Sequence, residues 1–370
     1  MHYFTFAEKD STLYQASSSL NSGMDEIIEV RKDVSDSGET INSSRILVKF
    51  DLGLISSSLY SGTISNPSYF LNFYDAKPEA LATSQSLYGY AVSGSWIMGD
   101  GRSYDNPITD EGCSWNYRDG QTDGTLWGNG QVSASGGSWY SGSLYEASYS
   151  FDHKTSDVRM NVTDIVNRWL EGTIPNEGFM IKRSGSIGNI STGSGADEGN
   201  TTRFGSLSFF SSDTHTKYPP TLETVWNDSK YVPGTLSPLA GSEMEDMVVY
   251  MKGLRPEYKE NSRVKFRLVG RERFPSKTFS TTSDNLTVKY LPISSSFYSI
   301  RDAETHDVVV PYGSGSLLSC DSSGNYFNLW LDGYQPERYY TLEYRIQSGS
   351  GTVDETDQYF DEGFTFKVTI

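Results

Sequence analysis

Short β-prone stretches separated by clusters of Gly, Ser, Asn and Asp recur along the chain, and this punctuation constrains the fold most. In the first part they occupy residues 27–31, 45–51, 68–74, 85–92, 144–151, 179–182 and 204–210, with a last strand over 222–226. Many short strands with turn signals between them predict a sandwich or jelly roll. Composition agrees. The 370 residues include 35 Gly, 25 Tyr and 18 Phe. Aromatic rings suit half-buried pleated surfaces, and Gly and Ser suit turns. Disordered chains are poor in aromatics. Ile46, Val48 and Phe50 alternate with Lys49 and Asp51, but Leu47 breaks the pattern. A strand covered on both faces loses its alternation in this way.

One segment has a helical period. Val162, Ile165, Val166, Trp169 and Leu170 share one face of a short helix. Asn161 or Thr163 would cap its start and Gly172 its end. Trp169 is then the core anchor of a helix that plugs one end of the sandwich. Two stretches read as long loops. Residues 94–137 hold Trp96, Trp115, Tyr117 and Trp127, whose rings would pin the loop down. Residues 184–200 are small and polar, and read as a flexible excursion whose removal barely changes folding.

Domain organisation follows from composition. Residues 1–226 form one sandwich, and 227–242, with Asp, Ser, Gly and two prolines, read as a linker. Further strands at 247–252, 262–270, 297–300, 308–311, 326–331, 338–346 and 364–370 predict a C-terminal β-sandwich over 243–370. It reads either as one domain or as two immunoglobulin-like halves divided near Pro292. The fold class is all-β, with one short helix.

The net charge of -17, from 47 acidic and 30 basic residues, excludes nucleic acid as the expected partner. Nucleic-acid binding needs clustered Lys and Arg to displace counterions. The N-terminus MHYFTFAEKDS has no basic segment followed by an apolar one, and no apolar run approaches a bilayer span. The chain is expected to be made in a cytoplasm and not inserted in a membrane. Cys113 and Cys320 are too few for a disulfide framework.

Catalytic signatures are missing. There is no G-x-S-x-G elbow, H-E-x-x-H, C-x-x-C or P-loop, and His2, His153, His215 and His306 are scattered. No catalytic residue and no cofactor are assigned. The acids of the 94–137 loop (Asp100, Asp105, Asp110, Glu111, Asp119 and Asp123) leave one structural calcium ion as an alternative, since calcium takes six to eight oxygens. Trp115, Tyr117 and Trp127 beside those acids would suit a sugar if their rings were exposed; if buried, they anchor the loop. Arg263, Lys265, Arg267, Arg271, Arg273 and Lys277 form a basic run in an acidic chain. They read as a contact for an acidic partner or for another copy of this chain, because Arg is enriched in protein interfaces.

Four ordered motifs carry a family resemblance. They are Asn161-Val-Thr-Asp-Ile-Val-Asn-Arg-Trp-Leu-Glu-Gly172, then Pro175-Asn-Glu-Gly-Phe-Met-Ile-Lys182, then Phe204-Gly-Ser-Leu-Ser-Phe-Phe-Ser-Ser212, then Pro219-Pro220. This set, with Arg45-Ile-Leu-Val-Lys-Phe-Asp51 upstream, resembles the DNRLRE domain family over residues 1–226. Asn161 stands where that pattern has Asp. The resemblance implies a jelly roll related to carbohydrate-binding modules, and no enzyme. Val264-Lys-Phe-Arg-Leu-Val-Gly-Arg-Glu-Arg-Phe-Pro-Ser-Lys-Thr-Phe279 and Pro336-Glu-Arg-Tyr-Tyr340 make the chain similar to virion structural proteins of marine tailed phages, including cyanophages. That likeness implies a place in the virion (tail, baseplate or neck), with other virion proteins and further copies of the chain as partners. The alternatives are a carbohydrate-recognising host-recognition module and a polysaccharide-degrading tail protein.

Overall fold

The computed structural model describes residues 1–35, 41–77, 85–103, 111–120, 124–128, 135–151, 157–184, 198, 203–276, 279, 287–348 and 356–370. Its contacts divide the chain into two units. One comprises Thr5–Tyr60 and Ser68–Glu223, the other Met1–Phe4, Ser61–Pro67 and Thr224–Ile370. The last crossing, between Glu223 and Thr224, lies close to the expected boundary at 226. The inclusion of Met1–Phe4 and Ser61–Pro67 in the second unit leaves no trace in local composition.

The first unit is built on β1 (His2–Tyr14), β2 (Ile27–Val34), β3 (Ile41–Phe50), β4 (Ser68–Phe73), β5 (Gln85–Ala91), β6 (Glu146–Phe151), β7 (Val158–Asn161), β8 (Phe179–Lys182), β9 (Gly205–Phe210) and β10 (Thr221–Val225). Hydrogen bonds link them in the order β6-β5-β8-β3-β1-β10-β4-β7, with β2 and β9 branching from β3, in a near-barrel sandwich. β3 lies mid-sheet. Ile46 and Val48 pair with Ile181 and Phe179 on one side and with Thr12 and Asp10 on the other. Leu47 is buried together with Leu13, Tyr90, Val92, Trp139, Met180 and the loop residues Trp96, Cys113, Trp115 and Trp127. These residues thus cover the face of the sheet at Leu47, and the broken alternation there has its physical cause.

Among the described residues there are two α-helices rather than one. α1 (Gly53–Tyr60) is Ser-rich, buries only Ile55, and so carries no apolar stripe to read. The Asp51 side chain accepts from the Gly53 amide at its start, at 2.9 Å. α2 (Thr163–Leu170) falls where its period predicts, with Ile165, Val166 and Trp169 buried. The expected cap by Asn161 or Thr163 is corrected: the N-cap is Val162, with no side-chain capping bond, although Asn161 Oδ1 accepts from the Thr163 amide at 3.1 Å. Gly172 takes φ 72° just past the end, the left-handed conformation that glycine adopts freely. Trp169 packs edge-on against Phe179 at 4.6 Å. Strands β1 and β7 were not legible in advance. β1 mixes buried and exposed positions without a steady period.

The second unit contains β11 (Met247–Met251), β12 (Glu257–Lys259), β13 (Arg263–Glu272), β14 (Ser296–Asp302), β15 (Val308–Val310), β16 (Ser319–Asp321), β17 (Gly324–Trp330), β18 (Tyr339–Ser348) and β19 (Thr356–Thr369). They form a sheet β11-β13-β17-β16 and a sheet β12-β19-β18-β14-β15. Phe327 of β17 stacks on Tyr298 of β14 at 4.0 Å, and Phe266 of β13 meets Phe366 of β19 at 5.2 Å. One core spans Leu239 to Val368, so the region is a single sandwich. The division near Pro292 is corrected: Leu268 before it and Leu342 after it are buried in the same core. The 227–242 linker is corrected too. Tyr231 bridges Cys320, Pro238 bridges Tyr290, and Leu239 is buried.

Candidate interaction surfaces and cleft

In the first unit, two of the three rings proposed for sugar contact lie in the core. Trp115 and Trp127 are buried, and Trp127 Nε1 donates to the Ser114 carbonyl at 2.8 Å. Tyr117 is half-buried and bridges Leu126. The exposed reading is therefore corrected for Trp115 and Trp127, which fill the space between loop and sheet and offer no open ring face to a sugar; Tyr117 keeps part of its surface. Cys113 is buried in the same cluster, and burial pushes its thiol pKa up to about 12.

Above that cluster sits a buried ionic group. The Arg45 guanidinium donates from Nε and Nη2 to the two Glu198 oxygens at 3.0 and 2.7 Å, and lies over Trp115 at 4.8 Å. Lys182 Nζ is 3.0 Å from Glu198 Oε2 and 5.2 Å from the Trp139 ring. Burial alone would raise the Glu198 pKa, but the Arg45 and Lys182 charges outweigh it and hold it below the ordinary carboxylate value. Residues 184–200 were expected to be dispensable. Glu198 overturns that, because it neutralises two buried cations.

Among the described residues no group of three or more His, Cys, Asp or Glu could hold a metal ion, and Asp105, Asp110 and Asp123 lie outside them. His153 also lies outside, His2 is buried, and His215 is 90% exposed.

In the second unit the basic run resolves into several environments. Arg263, Lys265 and Arg267 occupy alternate positions of β13 and therefore one face. Asp321 binds two of them: Arg267 donates from Nη1 and Nη2 at 2.9 and 2.8 Å, and Lys265 donates at 2.8 Å. The hydrogen bonds from Arg267, then those from Lys265, push the Asp321 pKa well below the carboxylate range. Arg271 donates to the Glu272 carbonyl at 2.8 Å. Arg273 is exposed beside Phe274, which is 75% exposed, and Lys277 lies outside the described residues.

Arg263 opens onto a cleft of about 430 Å³, lined also by Lys230, Asn227, Asn328, Tyr326 and Trp330. The Arg263 guanidinium stacks over Trp330 at 4.0 Å, its cross-strand partner. Asp228 at the same cleft is ion-paired with the Met1 ammonium at 3.3 Å. The cleft escaped sequence reading because its residues come from segments scattered between Met1 and Trp330. Arg263 was the one signal pointing there. No model of a known protein family matches the chain, and no curated protein sequence matches it either.

Proposed function

We propose that the chain is a structural component of a bacteriophage virion, in its tail, baseplate or neck. It works through protein–protein contacts and carries out no catalysis. The resemblance to phage structural proteins supports this reading. One observation carries it furthest: Phe274 stands 75% exposed next to the exposed Arg273, just beyond β13. A large ring left in water beside an arginine has the composition of an interface anchor, where aromatic and Arg side chains concentrate binding energy. Phe279, four positions on from Pro275, is fully exposed as well.

The test uses purified particles from infected cultures. Mass spectrometry of gradient-banded virions should find the chain at fixed stoichiometry to the other structural proteins. The double substitution Arg273→Glu, Phe274→Ser should leave the chain folded but lower its incorporation. Absence of the chain from banded particles would overturn the reading.

A further inference from the structure

The cleft at Arg263 has a use that assembly contacts do not require. The chain carries a net charge of -17, yet this cleft places two cations side by side. Lys230 and Arg263 both line this cleft, and among the described residues neither has a carboxylate within ion-pairing distance. Asp321, the acid that neutralises the next basic residues of β13, binds Lys265 and Arg267. Asp228 is paired with the Met1 ammonium, so its charge is offset locally.

The rings of the cleft are already taken. Arg263 covers a face of Trp330, Lys265 lies over Tyr326 at 3.5 Å, and Trp226 packs edge-on against Trp330 at 5.7 Å. An apolar anchor has no open ring to stack on, so recognition must come from charge and hydrogen bonds. Stacking on Trp330 also fixes the plane of the Arg263 guanidinium, which favours a two-pronged contact with a carboxylate. Around the two cations stand hydroxyl and amide groups: Thr63, Ser65, Ser229, Asn227 and Asn328. Asn227 Oδ1 accepts from the Ser229 amide at 2.9 Å, which turns its Nδ2 donor to other partners.

We propose that this cleft binds a compact polyhydroxylated carboxylate, the class of the uronic-acid units of acidic polysaccharides. The carboxylate faces Arg263 and Lys230, and the ring hydroxyls meet the surrounding amides and hydroxyls. A cleft of about 430 Å³ falls in the size range of small-molecule sites. An acidic peptide would satisfy the two cations but brings fewer hydroxyls to the surrounding amides than a sugar ring does.

Calorimetric titration of the full chain at low ionic strength decides it, with trigalacturonate, neutral maltotriose and hexaglutamate as probes. Trigalacturonate should bind saturably and more weakly as salt is added, and maltotriose should not bind. Arg263→Ala and Lys230→Ala should each weaken binding about tenfold, the loss of one charge-assisted contact. Arg263→Lys, which keeps the charge and the fold but loses the planar fork, should fall in between. Equal binding of maltotriose, unchanged affinity in Arg263→Ala, or no binding of trigalacturonate by folded protein would each overturn the proposal. Binding of hexaglutamate with failure of trigalacturonate would assign the cleft to an acidic protein segment instead. None of these outcomes bears on the presence of the chain in particles.

Discussion

Glu198 grips Arg45 with both carboxylate oxygens across 153 positions of sequence, in a place closed to water. Arg45 also donates to the Gly136 carbonyl at 2.5 Å, so one guanidinium ties β3 to two separate loops. Replacing Glu198 by Ala leaves two buried cations without their counter-charge. Removal of one partner from a buried ion pair typically costs about 3–5 kcal/mol. Chemical denaturation should show a loss of that size, and deletion of residues 184–200 should be at least as damaging. A midpoint within error of the wild type would mean that the pair contributes nothing to stability.

Trp169→Ala removes the large buried ring of α2 and its edge contact with Phe179. A cavity of this kind costs about 3–5 kcal/mol. Thermal unfolding should register it as a clear fall in Tm. Trp169→Phe should recover much of the loss, since it keeps an aromatic plug at that end of the sheet.

Asp10 gives the first unit a pH dependence. It is wholly buried, and its Oδ2 accepts from the Ser212 amide at 2.6 Å. Burial, with the Asp213 charge adding to it, raises its pKa from 3.8 to about 7. The folded chain therefore holds a proton that the unfolded chain releases between those two values. Stability contributed by Asp10 is present at low pH and declines as pH rises from about 4 to 7, by on the order of 4 kcal/mol at most. Asp10→Asn keeps the acceptor for Ser212 and removes the titration. Denaturation curves at pH 5 and pH 8 should differ less in the variant, which should be the more stable protein at pH 8.

Asn21 organises the start of the long loop. Its Nδ2 donates to the carbonyls of Met98 and Cys113 at 2.7 and 2.8 Å, and its Oδ1 accepts from Gly101 at 2.8 Å. A Cβ on Gly112, where φ is 96°, would come within 2.4 Å of Asn21 Nδ2. Asn21→Ala leaves buried groups unsatisfied and should cost about 3 kcal/mol. Asn21→Asp keeps the shape but turns a carboxylate oxygen against two carbonyls. It should be worse than Ala at neutral pH and should recover as the pH falls. Gly112→Ala should also destabilise, through backbone strain and the clash together.

Local patterns in the sequence determined the all-β class, most of the strands, α2 and the anchoring role of Trp169. Each of these depends on which face of a short segment is apolar, and that is written in neighbouring residues. The tryptophans of the 94–137 loop are legible as anchors, but their burial is a property of what covers them. α1, β1 and β7 have short or irregular patterns, and only packing reveals them. The tertiary structure alone decided that Glu198 would neutralise Arg45 and Lys182, and that Asp321 would neutralise Lys265 and Arg267 while Arg263 has no ion-pair partner among the described residues. It also decided that residues 227–242 would join the second sandwich. Charge pairing and cleft formation depend on which distant segments the sheets bring together, and a one-dimensional period of two or 3.6 residues holds no record of that.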